Sequence, residues 1–180
     1  MVQDAMVRGV AMGAALALAV GLAVTGQPAA APRAKPQLRS DLIARGAYLV
    51  AIMDCGGCHT PGALAGKPDP GRRLAGADIG FSVPQGGVVY PSNLTPDPET
   101  GLGKWSDADV VRALRQGLRP DGRTLTPVMP WPSYAVLTEH DALSIAAFLR
   151  SLAPVKLQVP KNAGPGETPP APYLTVVEPK

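Results

Sequence analysis

The chain has 180 residues, of which 46% are hydrophobic and 17% are charged, a size and composition typical of one globular domain. With 20 glycines and 21 prolines, much of the chain must form turns and extended loops, which excludes long continuous helices for most of its length. The net charge is +3 and the basic residues are scattered. This excludes the basic stripe with which a nucleic-acid-binding protein neutralises phosphates.

An uncharged apolar run occupies residues 9–24. Its 16 residues fall short of the roughly 20 that span a bilayer comfortably, so we expect a secretory signal peptide over residues 1–26. The alternative is an uncleaved anchor on the periplasmic face of the inner membrane. Both interpretations predict export to the periplasm, and only the second predicts contact with a membrane. An Ala/Pro-rich linker is expected over residues 27–39.

Three amphipathic patterns predict the core helices of a folded domain at residues 40–153. The first helix is expected to begin at Ser40 as its N-cap. Ser106 and Thr138 each start a capping-box pattern, and these predict the beginnings of the second and third helices.

Two further segments carry weaker patterns. The run FSVPQGGVVY is consistent with a small hairpin, although Pro84 favours an edge position or a plain loop. Residues 154–180 contain seven prolines and predict an extended tail. Disorder is the more common outcome for such a tail, and wrapping over the domain is the alternative.

The rare residue types of the chain converge at one motif. There are two cysteines and two histidines, and Cys55, Cys58 and His59 all fall within CGGCH. CxxCH is typical of covalent haem attachment, in which both thiols add to porphyrin vinyl groups and the histidine binds the iron on the proximal side. The intervening glycines allow a tight bend without side chains that would strike the macrocycle. The motif therefore predicts one covalently bound haem c.

Other chemistry is compatible with two cysteines at this spacing. A zinc site needs two further ligands, and His140 is the only other histidine. A thioredoxin-like redox pair belongs in a βαβ context, which the sequence does not predict. A disulfide closing so short a loop would stabilise little. Haem attachment is favoured over all three.

The sixth iron ligand has three candidates after the predicted cleavage site, namely Met53, Met129 and His140. Met53 precedes Cys55 too closely to reach the far side of the ring, and is expected to fill the core. His140 lies in the first turn of the last helix, where a solvated surface histidine is expected. Met129 lies in the proline-rich loop LTPVMPWPSY, whose restricted backbone can hold the thioether toward the metal. We therefore expect Met129 as the distal ligand.

A helix, CxxCH, a long loop, a methionine loop and a final amphipathic helix resemble the class I cytochrome c fold over residues 40–153. The segment from PSNLTPD to AAFLRSL resembles a haem domain of the cytochrome c subunits of periplasmic alcohol, aldehyde and related dehydrogenases. The resemblance implies an all-α fold with about three to four helices around one haem, and long loops. It also implies that Gly46 of the first helix crosses the last helix near Phe148.

The same resemblance implies further pocket residues. The N–H of His59 would be donated to a backbone carbonyl within residues 70–72, and Leu74 would lie against the haem edge. Asn93 and Trp105 offer polar hydrogens for the haem propionates, with a turn cap as the alternative role for Asn93.

In function, the resemblance implies an electron carrier without catalytic activity of its own. Its donor would be a periplasmic dehydrogenase, and its acceptor another cytochrome or a terminal oxidase. A tightly bound haem subunit of an oxidoreductase complex is the main alternative. A haem enzyme or gas sensor with an open sixth position is the other, which Met129 argues against.

Overall fold

The computed structural model describes residues 35–84 and 86–179. The predicted signal or anchor segment 1–26 lies outside the described residues. The described part contains five α-helices and three short strands: α1 (Lys35–Ile52), α2 (Cys55–His59), β1 (Gly80–Val83), β2 (Gly87–Val89), α3 (Asp107–Gln116), α4 (Trp131–Tyr134), α5 (Glu139–Ser151) and β3 (Tyr173–Leu174). None of these helices has the length and apolar character needed to cross a membrane.

The first helix begins at Lys35 rather than at Ser40, inside the segment 27–39 that the sequence predicts to be a linker. The hydroxyl of Ser40 donates to the Gln37 carbonyl, 2.8 Å away, so this residue lies within the helix and is not its N-cap. A serine inside a helix can bond back to the preceding turn in this way. The predicted start of the first helix was wrong because a serine can occupy either the N-cap or a position inside the helix.

The core lies where α1 crosses α5, and Gly46 is the point of closest approach. A Cβ atom at this position would overlap the carbonyl oxygen of Ser144 and lie 2.7 Å from the Cβ of Phe148. The predicted crossing is therefore confirmed. The buried side chains of the main core cluster come from α1, α3, α5 and the loop after α2: Leu49, Val50, Leu74, Val110, Leu114, Ile145, Ala146, Phe148 and Leu149.

The two predicted helix starts at Ser106 and Thr138 are confirmed. Ser106 forms a complete capping box with Asp109. The Thr138 hydroxyl accepts from the Asp141 amide at 3.0 Å, and the Asp141 carboxylate accepts from the Arg45 guanidinium of α1 at 2.9 Å. Helix α5 is thereby capped at its N-terminus, and Asp141 in its first turn also ties it to α1.

A small sheet modifies the all-α expectation. Strands β1 and β2 form the antiparallel hairpin that the sequence allows, with Pro84 in the turn that follows β1. The strand β3 comes from the predicted tail and pairs in parallel with β1, giving the order β2-β1-β3. The tail is therefore packed on the domain rather than disordered, because the sheet and a second small apolar cluster around Val88 and Tyr90 provide partners for it.

The replacement Gly46→Ala should lower the free energy of unfolding by about 1–3 kcal/mol, as overpacking in a tight core does. Helix propensity alone predicts the opposite sign, a gain of about 1 kcal/mol. Urea unfolding followed by circular dichroism distinguishes the two. Gly164→Ala is the control, because a Cβ atom at this position would lie 3.7 Å from its nearest neighbours, which are side-chain atoms of Glu167. A Gly46→Ala protein as stable as this control would contradict the close crossing.

Candidate haem site

The CxxCH motif forms the single-turn helix α2 directly after α1. Asp54 begins it in a left-handed conformation, with φ 49°, and its carboxylate accepts from the Gly57 amide at 3.2 Å. A Cβ atom on Gly57 would lie 2.8 Å from Cγ of Asp54, so glycine is required for this cap. Cys55 and Cys58 are three residues apart on one turn and therefore face the same side. The two cysteines do not form a disulfide.

The electrostatic environment of the two cysteines argues against a redox pair. Burial is the main cause that raises the pKa of Cys55 to about 11, and the neighbouring Asp54 charge adds to it. Burial likewise raises the pKa of Cys58. Both thiols are therefore protonated at neutral pH, whereas a thiol–disulfide oxidoreductase needs a lowered thiolate pKa.

A zinc site is not supported either. Within residues 35–84 and 86–179, no three His, Cys, Asp or Glu side chains lie together as metal ligands. The one histidine beside the cysteines, His59, is held in a different way.

His59 ends α2 and is buried, with 9% of its surface exposed. Its Nδ1–H donates to the carbonyl oxygen of Ser92 at 2.7 Å, which leaves Nε2 without a hydrogen. Burial is the main cause that lowers the pKa of His59, so the ring is neutral at neutral pH. A neutral imidazole with one bare nitrogen and an anchored N–H is the form that binds a metal.

The carbonyl that anchors His59 was assigned to the wrong segment by the resemblance. Residues Pro70–Arg72 form a 3₁₀ helix whose first turn is capped by Asp69, at 2.8 Å from the Gly71 amide. Ser92 stands 33 residues after His59 in sequence. No local pattern marks it, because any residue type supplies a backbone carbonyl.

Met129 is held between two turns of the loop that precedes α4. Its amide donates to the Thr126 carbonyl at 3.0 Å, and its carbonyl accepts from the Trp131 amide at 2.7 Å. The side chain is half-buried and packs against the same core cluster as Cys55. The backbone of Met129 is thus fixed by the turns on either side of it, and its role as the distal ligand stays a prediction.

The other two candidate ligands lie as expected for their structural roles. Met53 packs against the core cluster, and His140 is exposed in the first turn of α5. Neither position contradicts the preference for Met129.

Leu74 is fully buried in the core cluster, at 0% exposure, with the left-handed φ of 63°. A leucine adopts this conformation at a cost and only where its surroundings hold it. Its amide donates to the Thr60 hydroxyl at 3.1 Å, and its carbonyl accepts from the Leu94 amide at 2.8 Å. These two bonds join the segment after His59 to the loop that carries Ser92.

Asn93 does not fit the expected role at a haem propionate. Its amide donates to the Thr100 hydroxyl at 3.0 Å and to the Val155 carbonyl at 2.7 Å. Its side-chain oxygen accepts from both the amide and the hydroxyl of Thr95, at 2.9 and 2.8 Å. With both hydrogens used inside the protein, the side chain connects its loop to the tail. The sequence could not show the bond to Val155, because that partner lies 62 residues away.

Trp105 keeps a position compatible with the predicted pocket. The ring is half-buried, packs against the core cluster and lies 5.3 Å below the Arg119 guanidinium. Sequence reasoning missed Tyr134, which packs on the same cluster. Burial raises the pKa of Tyr134, with smaller contributions from Cys55, Cys58 and Asp54.

The profile of the Cytochrome c family matches residues 43–153, more than half of the chain. The chain belongs to the cytochrome c family. As a cytochrome c it carries covalently bound haem c with iron and transfers electrons.

Relatives of this cytochrome include subunits of several dehydrogenases. It is 42% identical over 118 residues to the cytochrome c subunit of quinone alcohol dehydrogenase from Gluconobacter oxydans (strain 621H), covering 65% of this chain and 23% of that protein. It is 38% identical over 120 residues to the gluconate 2-dehydrogenase cytochrome c subunit of Pantoea cypripedii, covering 66% and 25%. It is 37% identical over 124 residues to the fructose dehydrogenase cytochrome subunit of Gluconobacter japonicus, covering 68% and 24%. The cytochrome thus spans a quarter or less of the length of these relatives.

The donor set of the site fits haem c. The sequence places two cysteine sulfurs, not joined in a disulfide, on one helical turn, and next to them a neutral, buried histidine whose Nε2 carries no hydrogen. A partly buried thioether packs on the same core cluster. These are the groups that thioether attachment and two-sided iron ligation require.

Replacing both Cys55 and Cys58 with alanine should abolish covalent haem retention, because each thioether bond needs one thiol. The measurement is peroxidase staining of the exported protein after denaturing gel electrophoresis. Gly164→Ala is the control, because it lies outside the CxxCH motif and its Cβ would lie 3.7 Å from the nearest atoms, on Glu167. Titration of two free thiols in the wild-type holoprotein would contradict thioether attachment.

Proposed function

We propose that this cytochrome is a monohaem electron carrier of the periplasm. It takes single electrons from a dehydrogenase and passes them to another cytochrome or a terminal oxidase. The proposal is supported by the CxxCH turn with its anchored His59, and by the Cys55 and Met129 side chains, which both pack against the main core cluster. The sequence contains one CxxCH motif, which accounts for one haem.

In the proposed mechanism, Cys55 and Cys58 would hold the porphyrin, and His59 and Met129 would bind its iron. When bound, the haem iron supplies a one-electron cycle between the ferrous and ferric states. The Ser92 carbonyl keeps the hydrogen of His59 on Nδ1, so Nε2 stays bare and the ring stays oriented.

The protein around the site favours the ferrous state. Thioether ligation by Met129 and an apolar environment both raise a haem potential, so we expect a positive value. The apolar environment is the core cluster, whose central residues Leu74, Val50 and Ile145 are each at most 1% exposed. Water is thereby kept from that side of the site.

The relatives support a dehydrogenase as the electron donor, since all three are named as cytochrome subunits of dehydrogenases. Those names also favour an alternative, in which the cytochrome is a permanently bound subunit of such a complex. Exposed apolar side chains near the end of the chain, Val176 and Val177, at 92% and 80% exposure, are consistent with a covering partner. Purification from native membranes under mild conditions separates the two ideas, because a fixed subunit would elute with a larger cofactor-bearing chain.

Replacing Met129 with alanine should remove the weak near-infrared sulfur-to-iron band of the ferric protein. The vacated position should admit carbon monoxide to the ferrous iron, and the midpoint potential should fall. Met53→Leu is the control, since Met53 is proposed to be core packing and leucine has nearly the same volume. Persistence of the band in the Met129→Ala protein would assign the thioether elsewhere.

The isolated cytochrome should show negligible turnover of its own, because two axial ligands leave no position for a substrate. Periplasmic alcohol, gluconate and aldehyde dehydrogenases should instead reduce it rapidly. Stopped-flow absorbance at the ferrous haem bands measures the rate with each candidate donor. Substantial oxidase or peroxidase activity in the cytochrome alone would favour the open-site alternative.

A further inference from the structure

The segment 154–174 lies beyond the part of the chain that matches the family, and it packs along one side of the loop 90–100. We call this segment the strap. Its middle pairs with β2, where Ala163 and Val88 exchange two backbone hydrogen bonds of 2.9 Å. Its end forms β3.

The loop 90–100 contains the carbonyl that anchors His59, and residues 90–94 have no regular secondary structure. Towards the domain, the Pro91 carbonyl accepts from the Ala77 amide at 3.0 Å, and the Leu94 amide donates to the Leu74 carbonyl at 2.8 Å. Further along the loop, the Thr95 carbonyl accepts from the Leu102 amide at 2.8 Å, and the strap adds bonds on both sides of Ser92.

On the N-terminal side of Ser92, the strap holds Tyr90. The Tyr90 amide donates to the side-chain oxygen of Asn162 at 2.9 Å. The Tyr90 hydroxyl donates to the Ala171 carbonyl at 2.6 Å and accepts from the Ala171 amide at 3.2 Å. Both ends of this tyrosine are therefore bonded to the strap.

On the C-terminal side of Ser92, the strap holds Asn93 and Thr95, each only 1% exposed. The side-chain amide of Asn93 donates to the Val155 carbonyl at 2.7 Å. The backbone amide of Val155 donates to the Thr95 hydroxyl at 3.1 Å. Buried polar groups paired in this way are costly to separate.

We propose that the strap is a positioning element for the proximal ligand, which fixes the Ser92 carbonyl and so sets the strength of its hydrogen bond with His59. Bonds to the strap lie on both sides of Ser92, and a hydrogen bond of 2.7 Å weakens steeply when either partner shifts. An acceptor held close to Nδ1–H makes the imidazole a stronger donor to a metal and stabilises the ferric state. This inference rests on the proposed role of His59 as an iron ligand.

The test uses the full-length holoprotein with one substitution on each side of Ser92. Asn162→Ala removes the acceptor of the Tyr90 amide, and Thr95→Val removes the acceptor of the Val155 amide. Asn162→Asp and Thr95→Ser are rescue variants, because each restores a side-chain oxygen. Glu167→Ala is the matched control, since its carboxylate bonds only to the Gly164 amide within the strap.

We expect two linked changes in the Asn162→Ala and Thr95→Val proteins. The Nδ1–H proton of His59, observed by nitrogen-edited NMR of the diamagnetic ferrous protein, should exchange with solvent about tenfold faster. The midpoint potential should rise, because the imidazole becomes a weaker donor. The rescue variants and the Glu167→Ala control should match the wild type in both measurements.

The proposal would be overturned if both variants kept the wild-type exchange rate of the His59 Nδ1–H proton and the wild-type midpoint potential. Faster exchange with an unchanged midpoint potential would also overturn it. Should Thr95→Val fail to fold, the exposed Asn162 position decides the question alone. A separate variant, His59→Gly, tests the ligand role itself. A low-spin spectrum that survives His59→Gly without added imidazole would overturn that role, whereas its loss and restoration by imidazole would leave the strap variants as the test of positioning.

Discussion

The hydrogen bond from His59 to the Ser92 carbonyl is the interaction on which the rest of the site depends. It settles which ring nitrogen carries the hydrogen, it orients the ring, and it does so at 2.7 Å across 33 residues of sequence. The surrounding structure serves the two ends of this bond. Helix α1 and the Asp54 cap position the histidine, while Leu74 and the strap position the carbonyl.

What could be predicted from the sequence was governed by local rules. The CxxCH motif, the capping residues Ser106 and Thr138 and the loop around Met129 each depend on neighbours within a few positions, and the structure contains the predicted elements there. The close approach at Gly46 is a long-range fact that the resemblance implied, and a glycine within an apolar helical pattern is compatible with it. Because α5 crosses α1 so closely, the position requires a small residue, and that requirement is visible in the sequence as a glycine.

Where prediction failed, the deciding partner left no such trace. The resemblance implied a propionate contact for Asn93, whereas one acceptor of its side-chain amide, the Val155 carbonyl, comes from the strap. Ser40 looked like a cap because a serine bonding backwards into a helix has the same local sequence. The proline-rich tail suggested disorder by composition, although its backbone finds donors and acceptors in Tyr90 and Val88. Composition indicates whether a segment can fold alone. It does not indicate whether a neighbouring part of the domain provides hydrogen-bond partners for it.

A chain so rich in glycine and proline has few backbone ladders, and polar side chains replace them as the links between loops. Asn93 and Thr95 form one such link, and Asp97 forms the next: its carboxylate accepts from the Thr100 hydroxyl and amide, both at 2.7 Å. These bonds, led by the Thr100 hydroxyl, lower the pKa of Asp97 below its usual range. A carboxyl with a lowered folded-state pKa stabilises the fold above its unfolded pKa, and loses that contribution as the pH falls through the folded one. The side-chain amide of Asn93 and the hydroxyl of Thr95, which form the first link, do not titrate in this pH range. The loop that carries the Ser92 carbonyl is therefore held by contacts that keep their full strength at neutral pH, so the anchoring of His59 does not vary with modest changes of pH.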